Sequence, residues 1–159
     1  MTTIRRLNLK SQSDWDLFYM RIADLISQQS YAEDRKVGAI VVKNDNIISF
    51  SYNGTPRGTD NDTQVHEVLH AEAQAISKVT RSNQSTVGAT LYSTLSPCID
   101  CAKLIYAVGI HRVVFRDPYK CSKGIEFLKK QGVIINNTQL HEAFIDPMLL
   151  INTGLYNNE

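Results

Sequence analysis

Two short stretches carry residue types that hold metals and move protons. The first is His66-Glu67-Val68-Leu69-His70-Ala71-Glu72, and the second is Pro97-Cys98-Ile99-Asp100-Cys101. The first can be read in two frames. His66-Glu67-x-x-His70 is the H-E-x-x-H pattern of zinc metalloproteases, where two histidines one helical turn apart bind the metal and the glutamate activates water. His70-Ala71-Glu72 is instead a single histidine ligand with a carboxylate two residues on. That carboxylate can reach a water at the metal without occupying the metal itself. The frames share His70 and differ in which glutamate works.

The protease frame needs a third ligand further along the chain. The metzincin extension requires Gly at position 73 and His at position 76, but the residues there are Ala73 and Ile76. A downstream glutamate could serve, but the next one after Glu72 is Glu126, beyond two expected strands and a helix. His66 and Glu67 then read as a solvated loop or helix start beside the site.

The second frame finds its missing ligands. Cys98 and Cys101, with His70, supply two thiolates and one neutral nitrogen. Three protein ligands leave the fourth tetrahedral position of zinc open, as catalytic zinc sites require, and zinc brings the pKa of water toward about 7. Both half-motifs fall at expected helix starts, where the positive end of the dipole favours thiolates. Glu72 becomes the proton carrier. Two other uses of the cysteines stay open on spacing alone. Cys98 and Cys101 could form a redox pair, or could join His70 and Cys121 in a closed structural zinc site.

These residues must be placed by the elements around them. A helix is expected from a Ser13 cap with Asp16 at its third position, with Trp15, Phe18, Ile22, Leu25 and Ile26 at helical spacing. Val37 to Val42 reads as a buried strand, and Lys43-Asn44-Asp45-Asn46 as a turn into a returning strand, Ile47 to Tyr52. The turn-rich Asn53-Gly54-Thr55-Pro56-Arg57-Gly58 follows as a loop. A helix runs from about His70 to Arg81, and a third strand covers Thr90 to Thr94. Pro97 precedes a helix with Cys98 in its first turn, ending near Gly109. A fourth strand, Arg112 to Arg116, is followed by a helix from Ser122 to Gln131, stopped by Gly132, and then by a fifth strand, Val133 to Ile135. A final helix holds Leu140, Phe144, Met148 and Ile151. The helix between the last two strands predicts a parallel crossover there. The expected fold is α/β, a three-layer α/β/α sandwich around a mixed five-stranded sheet, with residues 1–159 forming one domain.

Composition is typical of a soluble globular protein. Of the 159 residues, 43% are hydrophobic and 21% charged, and the formal net charge is +1. That balance offers no bulk basic field for polymeric nucleic acid. No apolar run approaches the ~18 residues of a membrane span, and the N-terminal stretch lacks an apolar signal core. A cytoplasmic, reducing location is expected, where a C-x-x-C pair favours metal or redox chemistry over a structural disulfide.

Together, "VGAIVVKNDNIIS", "YNGTPRG", "HAE", "PCIDCAKLI" and "GIHRVVF" make the chain resemble the deoxycytidylate (dCMP) deaminase branch of the zinc-dependent cytidine/deoxycytidylate deaminases, from about Trp15 to Ile135. H-x-E with P-C-x-x-C is the signature of zinc nucleobase deaminases, and "YNGTPRG" points to the dCMP branch. The resemblance implies a cytidine deaminase-like fold, with Zn2+ on His70, Cys98 and Cys101 and Glu72 as catalytic acid and base. It implies that Asn53 bonds the nucleotide near its sugar, that the Ala71 N–H holds the pyrimidine carbonyl, and that Tyr119 lines the pocket. Lys36 and Arg35 are candidates for the substrate phosphate. A homohexamer is implied, activated by dCTP and inhibited by dTTP, with Mg2+ accompanying the triphosphate. The effector site would be Asn53, Gly54, Thr55, Pro56, Arg57 and Gly58. The alternatives are a tRNA adenosine or free-nucleobase deaminase, or a non-catalytic zinc- or nucleotide-binding protein. Ser51 stands where a glycine often precedes "YNG". The segment from there to His70 has no cysteine, so no accessory structural zinc is expected.

Overall fold

The computed structural model describes residues 9–56 and 68–138. The elements run α1 (Gln12–Ser27), β1 (Gly38–Lys43), β2 (Asn46–Tyr52), α2 (Ala71–Thr80), β3 (Thr90–Leu95), α3 (Ile99–Ala107), β4 (Arg112–Asp117), α4 (Lys123–Lys130) and β5 (Ile134–Asn137). The helix expected beyond Leu140 lies outside the described residues, as do Arg57, Gly58, His66 and Glu67.

The sheet order is β2-β1-β3-β4-β5. β1 pairs antiparallel with both β2 and β3. The β1–β2 turn uses Asn44 and Asp45 at φ 49° and 61°, the left-handed conformations that a tight hairpin demands. The sheet is mixed as expected, but its parallel part is larger: β3–β4 is parallel as well as β4–β5. Both joints are crossed by a helix, α3 and then α4, which returns the chain to the same edge.

Alternation along the strands sends side chains into two cores. Ala39, Val41, Leu91 and Val113 pack with α2, α3 and α4 through Ala75, Ile76, Ala102, Ile105 and Leu128. Ile40, Val42, Tyr92 and Val114 face α1 through Tyr19, Met20 and Ala23. Strand β1 is therefore apolar without a break because it is covered on both faces. The result is the expected three-layer sandwich, with α1 on one side and α2 to α4 on the other.

The start of α1 corrects the sequence reading. Ser11, not Ser13, is the cap. Its hydroxyl accepts from the Asp14 N–H, and the Asp14 carboxylate accepts from the Ser11 N–H at 2.9 Å. Asp16 cannot serve a cap because it is buried elsewhere. Arg112 donates to both its oxygens at 2.8 and 2.6 Å, and the Tyr92 hydroxyl and the Gln12 amide also donate to it. Burial opposes ionisation of Asp16, but the bonds from Arg112, Tyr92 and Gln12 outweigh it. Its carboxyl titrates below the ordinary 3.8. This network pins α1 to β3 and β4.

A buried carboxylate stripped of its cation is costly. Arg112→Ala should lower the unfolding free energy by about 3–5 kcal/mol in urea titrations. Because the folded pKa of Asp16 is depressed, its stabilisation is present in full above the unfolded value and lost as pH falls through the lower folded value. The stability gap between the native chain and Asp16→Asn should therefore hold near neutrality and shrink below pH 3.8.

Candidate active site

Two helix starts meet on the α2–α4 side of the sheet. His70 is the N-cap of α2, in extended conformation, and its ring is left free because it makes no capping bond. Cys98 is the N-cap of α3 rather than a residue of its first turn, and its sulfur accepts from the Cys101 N–H at 3.5 Å. Cys101 lies one turn into the helix and is buried. His70 Nδ1 sits 3.4 Å from Cys98 Sγ and 3.5 Å from Cys101 Sγ.

Those separations fit zinc. With Zn–S near 2.3 Å and Zn–N near 2.0 Å, a tetrahedral centre puts nitrogen and sulfur ligands roughly 3.6 Å apart. All three ligand atoms lie within 4.8 Å of one another, and they form the only such group of three among the described residues. Burial, with Glu72 and Cys98 adding to it, pushes the Cys101 thiol far above its ordinary value. A dication amid the three ligands reverses that balance. Cys121 does not join the group, so the closed four-ligand site is not built.

Glu72 occupies the second position of α2 and is only 3% exposed. Burial raises its carboxyl pKa, opposed by its own backbone N–H and by charge on His70. Ala71, fully buried, opens the helix. Its N–H is one of the four first-turn donors without an intrahelical acceptor. His70, Ala71, Glu72 and Cys98 face a cavity of about 670 Å³.

The cavity also takes in Asn53, Tyr119, Arg35 and Lys120. Lys36 is not among its lining residues, so the backbone turns Arg35 rather than Lys36 to the space. Asn53 is heavily engaged by its own protein. Its Oδ1 accepts from the Val37 N–H at 2.7 Å, and its Nδ2 donates to the Arg35 carbonyl at 2.9 Å. Gly54 forms a two-way backbone bridge with Leu69, directly before His70. The described part of the turn-rich loop is thus tied to the start of α2.

Some supporting residues escape a motif reading. The Ser96 hydroxyl accepts from the Tyr119 N–H at 2.7 Å and fixes the loop after β4. A methyl group on Gly124 of α4 would strike the Pro97 and Cys98 carbonyls, so α4 packs directly on the ligand turn. Ser96 adjoins Pro97-Cys98 in sequence, which is a weak signal. Gly124 gives none.

Comparison with known proteins agrees with this geometry. The family described as "Cytidine and deoxycytidylate deaminase zinc-binding region" matches residues 13–117. The deoxycytidylate deaminase of Mycobacterium phage D29 is 36% identical over 125 residues, covering 66% of this chain and 96% of the phage protein. The human deoxycytidylate deaminase is 34% identical over 116 residues, covering 64% of each chain, so the match spans under two thirds of that relative. The crystal structure of the dCMP deaminase of cyanophage S-TIM5 in complex with dCMP and dUMP superposes with a TM-score of 0.75 at 38% identity. It covers 80% of this chain and 99% of that one.

Gly124→Ala should displace the Pro97–Cys98 turn and weaken zinc binding by about 10–100-fold, the usual range for supports behind metal ligands. Competition with a chelator checks this; unchanged affinity would remove the packing argument.

Proposed function

The chain belongs to the cytidine and deoxycytidylate deaminase family, and from that premise we propose that it hydrolyses dCMP to dUMP and ammonia, supplying dUMP for thymidylate synthesis. The observation that carries the reading is the placement of a buried carboxyl, Glu72, beside a three-ligand metal site at the wall of one cavity. Zinc, when bound, supplies a Lewis acid that makes water a nucleophile near neutral pH. His70, Cys98 and Cys101 would hold it.

The remaining work falls to the chain's own groups. In the net reaction a C4–O bond forms and the C4–N4 bond breaks. Glu72 takes one proton from the water and delivers it to ring N3, then takes the second from the new C4 hydroxyl and passes it to the departing amine. A carboxyl serves both directions best when its pKa lies nearer the working pH than an exposed glutamate's, and burial raises Glu72 in that sense. The Ala71 N–H donates to the pyrimidine carbonyl and sets the ring's orientation. Tyr119 forms a wall for the nucleotide, and Asn53 stands at its sugar.

The cavity volume of about 670 Å³ suits a mononucleotide. Among the described residues Arg35 and Lys120 are the cations that line it, with Glu33 and Asp34 beside Arg35, and we assign the phosphate to the two cations, with the Arg35 guanidinium able to bind two oxygens at once. Effector control by dCTP and dTTP, with Mg2+ on the triphosphate, is proposed for Asn53 to Gly58, and a homohexamer for the assembly. No helix among the described residues is long and apolar enough to cross a membrane.

Ammonia release from dCMP, dCTP, deoxycytidine and cytosine tests the reading. Turnover should be greatest on the monophosphate, and no reaction with it would sink the proposal. Inosine formation in a tRNA anticodon stem-loop would overturn it in favour of adenosine chemistry. Glu72→Gln should keep its zinc and lose about 10²–10⁴-fold in kcat, the usual share of a general acid and base. The two triphosphates should shift the dCMP saturation curve in opposite directions; a curve indifferent to both removes the effector assignment.

A further inference from the structure

The cavity is built from two parts with different origins. Its catalytic side is the start of α2, with His70 and Glu72. Its opposite wall is irregular chain, residues 32–37, held by Asn53. Asn53 bonds this wall three times, through Oδ1 to the Val37 N–H, through Nδ2 to the Arg35 carbonyl and through its N–H to the Val37 carbonyl, and its carbonyl accepts from the Ser30 hydroxyl just before the wall.

One side chain of the catalytic helix bonds the residues on both sides of Asn53. Gln74 Nε2 donates to the Tyr52 carbonyl at 3.1 Å and to the Gly54 carbonyl at 2.9 Å, the residues on either side of Asn53. Both amide hydrogens are used, and both acceptors are carbonyls, so the amide has one orientation. The backbone N–H of Gln74 donates to the His70 carbonyl at 3.0 Å. One residue therefore touches the metal-ligand residue with its main chain and brackets Asn53 with its side chain.

We infer that Gln74 is a positioning residue that sets the distance between the nucleotide wall and the catalytic start of α2. The inference deepens the deaminase reading and rests on it for its kinetic consequence, but not for its structural one. With the clamp gone, the Tyr52 and Gly54 carbonyls lose their bonds to α2, the Gly54–Leu69 bridge is left to hold the loop to the helix start, and Asn53 with residues 32–37 gains freedom to shift. The metal ligands and Glu72 are held by other contacts and stay in place. Loss of wall placement weakens binding of ground state and transition state alike, which raises KM and spares kcat.

The test pairs Gln74→Leu, close in size and without hydrogen bonds, with Ser49→Ala. Ser49 donates to the Ala75 carbonyl at 2.7 Å, so it also ties β2 to α2, but away from the loop. For Gln74→Leu we expect full zinc content and faster amide exchange at Val37, Asn53, Gly54 and Leu69, with Ala39 and Val41 unchanged. KM for dCMP should rise by about tenfold with kcat within about threefold, the scale of one or two hydrogen bonds. Ser49→Ala should lower the melting temperature without moving exchange at those four amides or KM. Should Gln74→Leu not fold, Gln74→Asn, one methylene shorter, should give the same pattern at smaller amplitude. Unmoved exchange and KM, a fall confined to kcat, or equal effects in the Ser49→Ala control would overturn the inference. If the native chain does not act on dCMP, the deaminase reading fails while amide exchange still decides the clamp.

Discussion

Two acidic groups, the Glu72 carboxyl and the Cys101 thiol, are buried together where two helices begin, and ionising both there calls for a neighbouring cation. Burial pushes the pKa of each upward, and a charged Glu72 would add to the cost of ionising Cys101. In an ordinary core this would be a defect. Here His70 Nδ1 and the Cys98 sulfur complete a triangle of the size zinc fills. A dication turns the mutual penalty into shared attraction. The dipoles of α2 and α3 point their positive ends at the same place. The site therefore couples metal binding to the stability of the region that carries it.

That convergence constrains the scaffold. Helices α2 and α3 belong to different crossovers and meet only because β1 and β3 are neighbours, with both helices packed on one face. Gly124 lets α4 close on the ligand turn from behind. On the far face, the Asp16–Arg112 pair ties α1 to β4. It lies far along the sheet from the metal, and its contribution is to keep β3 and β4 in register with the layer beneath.

Much of this was legible from local pattern. Strand β1 is an unbroken apolar run because both its faces are covered, and H-x-E with P-C-x-x-C picks out the three residues, His70, Cys98 and Cys101, that the fold brings together. What was not legible depended on distant partners. Ser11-x-x-Asp14 and Ser13-x-x-Asp16 are equivalent as caps, and the choice is made by Arg112, 96 residues from Asp16. Lys36 and Arg35 are adjacent cations, and only the bonds Asn53 makes to residues 35 and 37 decide which one faces the cavity. The parallel β3–β4 joint follows from α3 as surely as β4–β5 follows from α4. The expectation used that argument once where it applied twice.

The division of labour in the cavity follows from the same physics. His70 and Cys98 sit at the N-caps of α2 and α3, and Glu72 and Cys101 in the first turns of the same helices, where the helical ladder fixes the backbone. The nucleotide wall has no such ladder, because residues 30–37 and 53–56 are irregular chain. Its backbone groups find partners in the Asn53 amide, in the Gln74 amide, and in the hydroxyl of Ser30. A wall held by a few side chains can be reshaped by single substitutions without disturbing the metal. Selectivity among pyrimidine nucleotides is therefore the property this scaffold can change most readily, and the deamination chemistry the property it can change least.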